Sequence, residues 1–552
     1  MTPNTHSSLS LSLAALAPGD RRLIRSLFIA ALAALALGLL LGLWVALARA
    51  GWARPDLPET GYRLLTLHGV AVFFDWLTLA QAGLLLVLAA QERKAPLSLA
   101  WMGWAGLVVM LVAFVLHLLG TLGGNPLLYD GSPELVADAR QGALLFYLGY
   151  GALALGLVLL ALPGLATLVK ARKAGSGSWT ALGFGAFAWA GLLLVSAIAL
   201  ANTFLPAILW AVGLGGMPAD HATLWHLLFH NMHYLPLLGT MLAWYLLLPE
   251  LTGARSIFGS GFSKLVFCLY LVFVPPTSLY HMFLEPGLDP MVLVLGSLLS
   301  LFIGVPTIAA FLVVMTSLEA HGRARGARGG LGWLKSLDWS QTATHALAAA
   351  VINLALGGVL AFVLIQEKLA GLLSDTFFVP GYFHFMTLGV VTLSLLTVAE
   401  RIAPALGGRG GSVAWARYLP WLITLGLFLF GVAGVVAGSQ GMPRRVLDAS
   451  YEGLAPTSWI LLSWIIGIGA LLMALGLGLM VARIGAAYLG FGPKALATEQ
   501  PQAVPEELAL KQGAWGASLA VALLLTLITA ATWGAFALMR SLPVIAIGGA
   551  GH

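Results

Sequence analysis

The sequence predicts an all-α membrane protein, a polytopic bundle of about 13 transmembrane helices. Of its 552 residues, 60% are hydrophobic and only 9% are charged, which leaves too few polar side chains to cover a soluble globule. Apolar runs of membrane-spanning length occur near residues 22–49, 61–91, 98–122, 142–169, 178–212, 222–249, 262–284, 291–318, 341–366, 380–404, 415–439, 456–482 and 514–539.

The distribution of basic residues predicts the orientation of these spans. Of the 28 lysines and arginines, only eight fall on the outer side when the N-terminus is placed inside: Arg49, Arg54, Arg63, Arg140, Lys368, Arg444, Arg445 and Arg540. Because short cytoplasmic loops carry an excess of lysine and arginine, we expect a cytoplasmic N-terminus and an external C-terminus. The net charge of +6 therefore reflects topology and not a nucleic-acid partner.

The ends of the chain and its cysteine content set further limits. Residues 1–20 lack the basic start of a signal peptide, and we interpret them as a cytosolic tail before a single transmembrane domain at 21–545. Cys268 is the only cysteine, which excludes internal disulfides and clusters held by several thiolates. A bound metal must therefore be held by histidine, tyrosine or carboxylate.

Three histidines form one stripe in the apolar segment 223–249. At about 100° per residue, His226, His230 and His233 lie within about 60° of one another on a helix. Ionisable side chains within a span usually face the bundle interior, so the stripe predicts a functional site. His226 and His233 are about 10.5 Å apart along the axis, and a metal would take either the first two histidines or the last two.

Three further histidines lie in the outer half of other spans: His68, His281 and His384. Arg444 and Arg445 follow on the outer side, where two adjacent cations need an anionic partner such as the carboxylates of a cofactor. Neutral imidazole is the usual ligand for haem, copper or non-haem iron, so the histidines predict a bis-histidine haem and a second metal site. A transporter with buried histidines is the alternative. We interpret His117 as an interfacial hydrogen-bonding residue.

Local motifs carry a family resemblance over essentially the whole chain. They are LTLHG around His68, an H-x-x-x-Y pair at His230 and Tyr234, HMFLEPGLDP, VPGYFHF and MPRR. With these motifs the chain resembles the catalytic subunit I of the haem-copper oxidases, closest to the B-type (ba-type) branch. The resemblance implies a cytochrome c oxidase subunit I-like bundle in a bacterial or archaeal plasma membrane.

The resemblance also implies roles for individual residues. His68 and His384 correspond to the ligands of a low-spin haem, here haem b, and Arg444 and Arg445 to the residues that bind its propionates. His230 corresponds to the first copper ligand, and Tyr234 to the redox-active tyrosine that is cross-linked to it. His281 corresponds to one of two adjacent copper histidines, whereas Tyr280 replaces the other.

Two features depart from the family pattern. Tyr382 replaces the histidine that ligates the oxygen-binding, high-spin haem. Because tyrosinate can hold haem iron, the second haem site either survives with altered electronics or is lost. His384 lies two positions later, about 200° around the helix, so one helix would serve two sites. The proton route of the family is thinned: Tyr245 and Thr307 remain, but apolar residues stand at Met241, Ala310 and Val313.

Three functions are compatible with this pattern. The first is a terminal oxidase, which receives electrons from a periplasmic cytochrome c or similar donor through a subunit II-type partner and reduces O₂ at a haem–metal centre. The second is a reductase of another small oxidant such as nitric oxide, with His226, His230, His233 and His281 grouped around copper or iron. The third is a non-catalytic haem b electron-transfer or assembly subunit.

Overall fold

The computed structural model describes residues 9–14, 16–53, 58–124, 129–175, 177–275, 290–365, 367–410, 413–448 and 450–492. The described chain is helical throughout, apart from turns and one isolated bridge between Thr376 and Pro443. The predicted fold class, an all-α membrane bundle, is therefore confirmed. Ala and Leu dominate the long apolar runs, and both are strong helix formers.

The α-helices are α1 Leu9–Ala14, α2 Pro18–Arg49, α3 Pro58–Gly69, α4 Leu77–Arg93, α5 Ala100–Gly123, α6 Leu144–Ala174, α7 Ala181–Ala211, α8 His221–Thr252, α9 Gly259–Phe273, α10 Pro290–Ala324, α11 Thr342–Leu364, α12 Glu367–Leu373, α13 Phe378–His384, α14 Leu393–Ile402, α15 Leu419–Ser439 and α16 Thr457–Tyr488. Short 3₁₀ helices occupy Pro133–Ala143, Gly332–Ser336, Pro404–Leu406, Ala414–Tyr418 and Tyr451–Gly453.

Eleven spans of the described chain are long and apolar enough to cross a membrane. The predicted span near 262–284 overlaps α9, whose 15 described residues are apolar but shorter than a full crossing. The predicted span at 514–539 lies outside the described residues. The count of 13 therefore stays a prediction, as does the division into a tail at 1–20 and a domain at 21–545.

Two π-helical segments interrupt long helices. Val70–Trp76 joins α3 to α4, and Phe385–Thr392 joins α13 to α14. The Trp76 Nε1 donates a hydrogen bond of 3.1 Å to the Thr392 Oγ1, which connects the two segments in the interior. Such π-helical turns are rare and often lie at functional sites. Here each begins within two residues of a histidine that the sequence predicts as a haem ligand.

Close packing between helices surrounds α13, the helix that leads into the second π-helical segment. A Cβ at Gly381 of α13 would lie 2.9 Å from the carbonyl oxygen of Gly431 on α15, and a Cβ at Gly426 would lie 2.7 Å from that of Gly469 on α16. Only glycine allows these backbones to approach so closely, as is common between helices in membranes. The first contact holds α13, which carries His384, against α15, and the second holds α15 against α16.

Candidate functional site

A cavity of about 580 Å³ lies between α2, the helix α3–α4 and the helix α13–α14. This volume is typical of pockets for cofactors and other small molecules. The predicted site residues that line it are His68, His233, Tyr234, Tyr382, His384, Arg444 and Arg445. The structure thus brings together residues from four separate parts of the sequence around one space.

The imidazole of His68 is held by a hydrogen bond to the backbone of α2. Its Nδ1 lies 2.7 Å from the carbonyl oxygen of Gly38 on α2. A carbonyl can only accept, so Nδ1 carries the proton and Nε2 keeps a free lone pair. Gly42, one turn further along α2, leaves room for the ring, because a Cβ there would lie 2.5 Å from the His68 Cε1. His68 is therefore set as a ligand through Nε2.

His384 is fixed in the same way by its own helix. Its Nδ1 donates to the carbonyl oxygen of Pro380 at 2.7 Å. The ring of Phe430 packs against the imidazole with 4.6 Å between centroids. The Nε2 of His384 is again the nitrogen with a free lone pair, and a metal-binding histidine typically donates its other nitrogen in this manner. The two histidines thus offer matching ligand atoms to the same cavity.

Tyr382 borders the same cavity as His384, although the two side chains leave α13 in different directions. The cavity therefore extends around this helix, where the sequence suggested two separate sites. The Tyr382 ring lies 6.3 Å from those of Phe378 and Phe383. Tyr234 and His233 line the cavity too, and their rings lie 5.1 Å apart.

Arg444 lies at one end of the cavity, where two backbone hydrogen bonds join its loop to the residues before α13. The Phe377 amide donates to the Met442 carbonyl at 2.7 Å, and the Arg444 amide donates to the Asp375 carbonyl at 3.0 Å. The Arg444 guanidinium also pairs with the Asp375 carboxylate at 2.9 Å. That carboxylate is 86% exposed, so the ion pair is screened by water and weak.

Arg445 lies beside Arg444 and contacts a different loop. Its guanidinium is 3.9 Å from the Asp130 carboxylate and 5.6 Å from the centre of the Tyr129 ring. Burial lowers the pKa of Arg445, but Tyr129, Asp130 and Asp375 more than offset this effect, and the pKa lies above its ordinary value. Arg445 is therefore a permanent cation at the end of the cavity.

A third arginine at this end was missed by the sequence reasoning. Arg49, the last residue of α2, lines the cavity and is only 8% exposed. It donates from Nη2 to the carbonyl of Arg444 and stacks on Phe377 with 4.8 Å to the ring centre. Its Nε and Nη1 are buried without a hydrogen-bond partner. Its position among the eight predicted outer cations was the only signal, and it did not distinguish Arg49 from the rest.

The proposed second metal site is described only in part. Its other predicted residues, Tyr280 and His281, lie outside the described residues, as do the side chains of His226 and His230. Among the side chains that the structure does describe, no group of three metal-binding residues occurs. The predicted copper ligands therefore stay predictions. Of the histidine stripe, His233 faces the cavity, with Phe383 packed 4.8 Å from its ring.

The cavity suits a haem by its chemistry. Two imidazoles present free Nε2 atoms, the walls are largely aromatic and aliphatic, and three arginines lie at one end, where a haem's two carboxylates would need cations. Phe73 shows the character of the wall, since it stacks on Phe229 at 5.0 Å and lies 5.9 Å from Phe383. Flat aromatic surfaces of this kind match a planar macrocycle.

Comparison with known proteins points to the same chemistry. Residues 22–472 match the family model described as cytochrome c and quinol oxidase polypeptide I. The chain is 30% identical to cytochrome c oxidase subunit 1 of Thermus thermophilus over 430 residues, which covers 75% of each protein. It belongs to the family of haem-copper oxidase subunit I.

More distant relatives agree with this membership. A probable quinol oxidase subunit 1 of Staphylococcus aureus is 24% identical, over 53% of this chain and 41% of that protein. A cryo-EM structure of a haem-copper terminal oxidase dimer superimposes with a TM-score of 0.77 at 22% identity and covers 90% of both chains. The latter likeness shows the shared fold.

Family membership makes this haem-copper oxidase subunit a terminal-oxidase type of oxidoreductase in a respiratory chain, with haem and metal cofactors in general. Tyr245 and Thr307, the two polar residues predicted for the proton route, each contact one further hydroxyl group in the structure. The Tyr245 hydroxyl is 3.3 Å from the Ser263 hydroxyl, and the Tyr270 hydroxyl is 2.8 Å from that of Thr307. The apolar residues Met241, Ala310 and Val313 are buried.

Proposed function

We propose that this subunit binds a low-spin haem b between His68 and His384, with the haem carboxylates at Arg49, Arg444 and Arg445. The observation that carries the proposal is the matched hydrogen bonding of the two imidazoles, each of which donates Nδ1–H to a carbonyl and offers Nε2 to one cavity. Such orientation fixes the tautomer and strengthens the nitrogen as a ligand.

The arginines define which end of the cavity takes the carboxylates. Arg444 and Arg445 each have one acid partner, whereas no acid lies within ion-pair distance of Arg49 in the described part of the chain. A buried cation without a partner is costly, and a carboxylate would satisfy its free N–H groups. When bound, the haem supplies one-electron transfer, and the protein excludes water from it and balances its charge.

We further propose that electrons pass from this haem to a second haem–metal centre that reduces O₂. Tyr234, His233 and Tyr382 border the same cavity and supply groups that can donate a proton or bind a metal. His230 and His281, with His226 and Tyr280, would complete the metal site with copper or iron. Tyr382 would hold the second haem as phenolate, which favours ferric iron and lowers the reactivity towards O₂.

Partners and placement follow from the same proposal. Electrons would arrive through a subunit II-type protein from cytochrome c or a similar donor on the outer side, because this chain has a single cysteine and no haem-attachment motif. The arginine end of the cavity lies at the C-terminal end of α2, which the charge count places outside. The bilayer is that of a bacterial or archaeal plasma membrane.

Haem stoichiometry with a carbon monoxide difference spectrum tests the proposal. Two haems per chain, with carbon monoxide bound to one of them after reduction, are expected of the oxidase. A protein with one haem and no carbon monoxide shift would overturn the oxygen-reducing role in favour of electron transfer or assembly. If the protein carries two haems and consumes nitric oxide but not O₂, it is instead a nitric oxide reductase.

A further inference from the structure

A buried acid–base pair lies in the membrane interior beside the cavity but outside its lining. Asp75 belongs to the π-helical segment Val70–Trp76, and His117 belongs to α5. Their side chains are 1% and 0% exposed, and the His117 Nδ1 lies 3.3 Å from the Asp75 Oδ1. His117 is hydrogen-bonded, as the sequence predicted. It is, however, fully buried against a carboxyl group, whereas the sequence predicted a position at the membrane–water interface.

The fold makes room for this pair. Gly149 of α6 faces the His117 ring, and a Cβ at that position would overlap the imidazole. Tyr150 packs edge-on against the same ring at 4.7 Å. The Asp75 Oδ2 and the His117 Nε2 are both buried and have no hydrogen-bond partner. The pair is therefore an enclosed polar site with two unused atoms.

Charge balance decides what this site holds. A lone carboxylate in the membrane interior is costly, and the described neighbours offer Asp75 no arginine or lysine. A neutral imidazole already carries one N–H proton, so the pair has no net charge when it binds one further proton. The carboxylate and the imidazole share this further proton.

The pair is close enough to the cavity to sense its charge. Phe74 and Trp76, the neighbours of Asp75 in sequence, both line the cavity. Tyr150 contacts Phe74 at 5.0 Å as well as His117, so aromatic rings connect the pair to the cavity wall. In such low-dielectric surroundings, electrostatic interactions are only weakly screened.

Few other titratable groups face the pair. Tyr150 comes from α6, and behind it lie Tyr129 and Asp130, since the Tyr150 hydroxyl donates to the Tyr129 carbonyl at 2.6 Å. Arg63 of α3 donates to the carbonyl of Thr121 on α5, about one turn beyond His117. The facing part of α2, residues 26–48, contains no titratable side chain.

We propose that Asp75 and His117 form a proton-binding site whose occupancy is coupled to the electron in the haem cavity. The coupling rests on the proposed haem site. Reduction of the haem by a one-electron donor would add negative charge and raise the affinity of the pair for a proton. The fraction of Asp75 that is a carboxylate beside oxidised haem would then take up a proton from water. By linkage, the bound proton favours the reduced haem to the same extent.

Infrared difference spectroscopy of the haem-loaded protein, reduced with dithionite, tests this coupling. We expect the reduced-minus-oxidised spectrum to gain a carboxylic-acid C=O band that shifts in D₂O, disappears in Asp75→Asn and shifts in frequency in His117→Gln. Asp20→Asn serves as the matched control, because Asp20 is also buried but accepts a hydrogen bond from the Leu97 amide far from this pair. The control should retain the band.

The midpoint potential gives a second readout. In the wild type it should fall as pH rises, and Asp75→Asn should reduce that slope by at least half, while Asp20→Asn leaves it unchanged. Equal slopes, or no band that depends on Asp75, would overturn the coupling. If the purified protein carries no haem, the proposed function fails separately, and a pH-difference infrared spectrum then decides the proton site: an Asp75-dependent band supports it and a missing band refutes it.

Discussion

At the scale of single residues, the position of His68 depends on the missing side chain at Gly42. A Cβ at that position would lie within 2.5 to 3.2 Å of three atoms of the His68 ring. The ring cannot yield without losing its bond to the Gly38 carbonyl. A methyl group here would therefore displace a ligand and not merely crowd a helix.

Gly42→Ala should lower haem occupancy severalfold, because overpacking of this kind costs about 1–3 kcal/mol. Haem content per chain, measured after purification, is the test. Gly191→Ala is the matched control: Gly191 also lies inside a helix, but a Cβ there meets nothing within 4 Å. Equal haem content in both variants would show that His68 does not bind the haem.

The arginines at the end of the cavity should set the haem potential. Arg49→Gln removes a buried cation that has no acid partner within ion-pair distance in the described chain, so the midpoint potential should fall by about 60 mV, a tenfold change for a one-electron couple. Arg444→Gln and Arg445→Gln should shift it less, since Asp375 and Asp130 already balance them in part.

Redox titration of the three variants measures this order. Arg63→Gln is the control, because Arg63 donates to backbone carbonyls of Thr121 and Leu122 and does not line the cavity. If the potential of Arg49→Gln equals that of the Arg63 control, Arg49 does not face the haem carboxylates.

At the scale of elements, the two π-helical segments form a frame around the cavity. Each follows closely on a predicted haem ligand, His68 or His384, and the Trp76–Thr392 hydrogen bond joins their far ends. Both of these residues also line the cavity. The bond therefore fixes the distance between the two helices that carry the imidazoles.

Trp76→Phe and Thr392→Val should each lower the thermal stability of the haem-loaded protein, since each leaves a buried polar partner unpaired at a cost of about 1–3 kcal/mol. The double variant should lose less than the sum of the two, because neither partner then remains to be satisfied. Loss of haem absorbance on heating measures all three. Strictly additive losses would show that the bond does not couple the segments.

Sequence reasoning predicted the helical membrane bundle and the histidines, tyrosines and arginine pair that line the cavity, but not its apolar walls. Apolar length and intramembrane histidines are strong local signals. It could not predict that Tyr382 and His384 share one cavity, since helical angles do not reveal how a space extends around a helix. Asp75 could have been found, because a carboxylate in the middle of an apolar span is itself a functional signal. Its partnership with His117 required the packing of α5 and α6.

At the scale of the whole molecule, the orientation in the membrane decides where electrons and protons enter. The charge count predicts that the loop after α10 is cytoplasmic and the loop after α15 external. Two exposed leucines mark these loops, Leu331 at 59% and Leu454 at 90% exposure. They give a matched pair of labelling positions.

In a Cys268→Ser background, Leu454→Cys should react with a membrane-impermeant maleimide in intact cells, whereas Leu331→Cys should react only after the membrane is opened. The extent of labelling on a gel is the measurement. The reverse pattern would invert the topology and place the arginine end of the cavity in the cytoplasm.

The absorption spectrum of the reduced protein shows whether His68 and His384 together hold a low-spin haem. The wild type should show the sharp α-band of a bis-histidine haem b, and His68→Ala and His384→Ala should each abolish it. His345→Ala is the control, because His345 is bonded to Trp339 and Trp421 away from the cavity and its loss should leave the band intact. An unchanged low-spin band in either ligand variant would contradict the proposed pair of ligands.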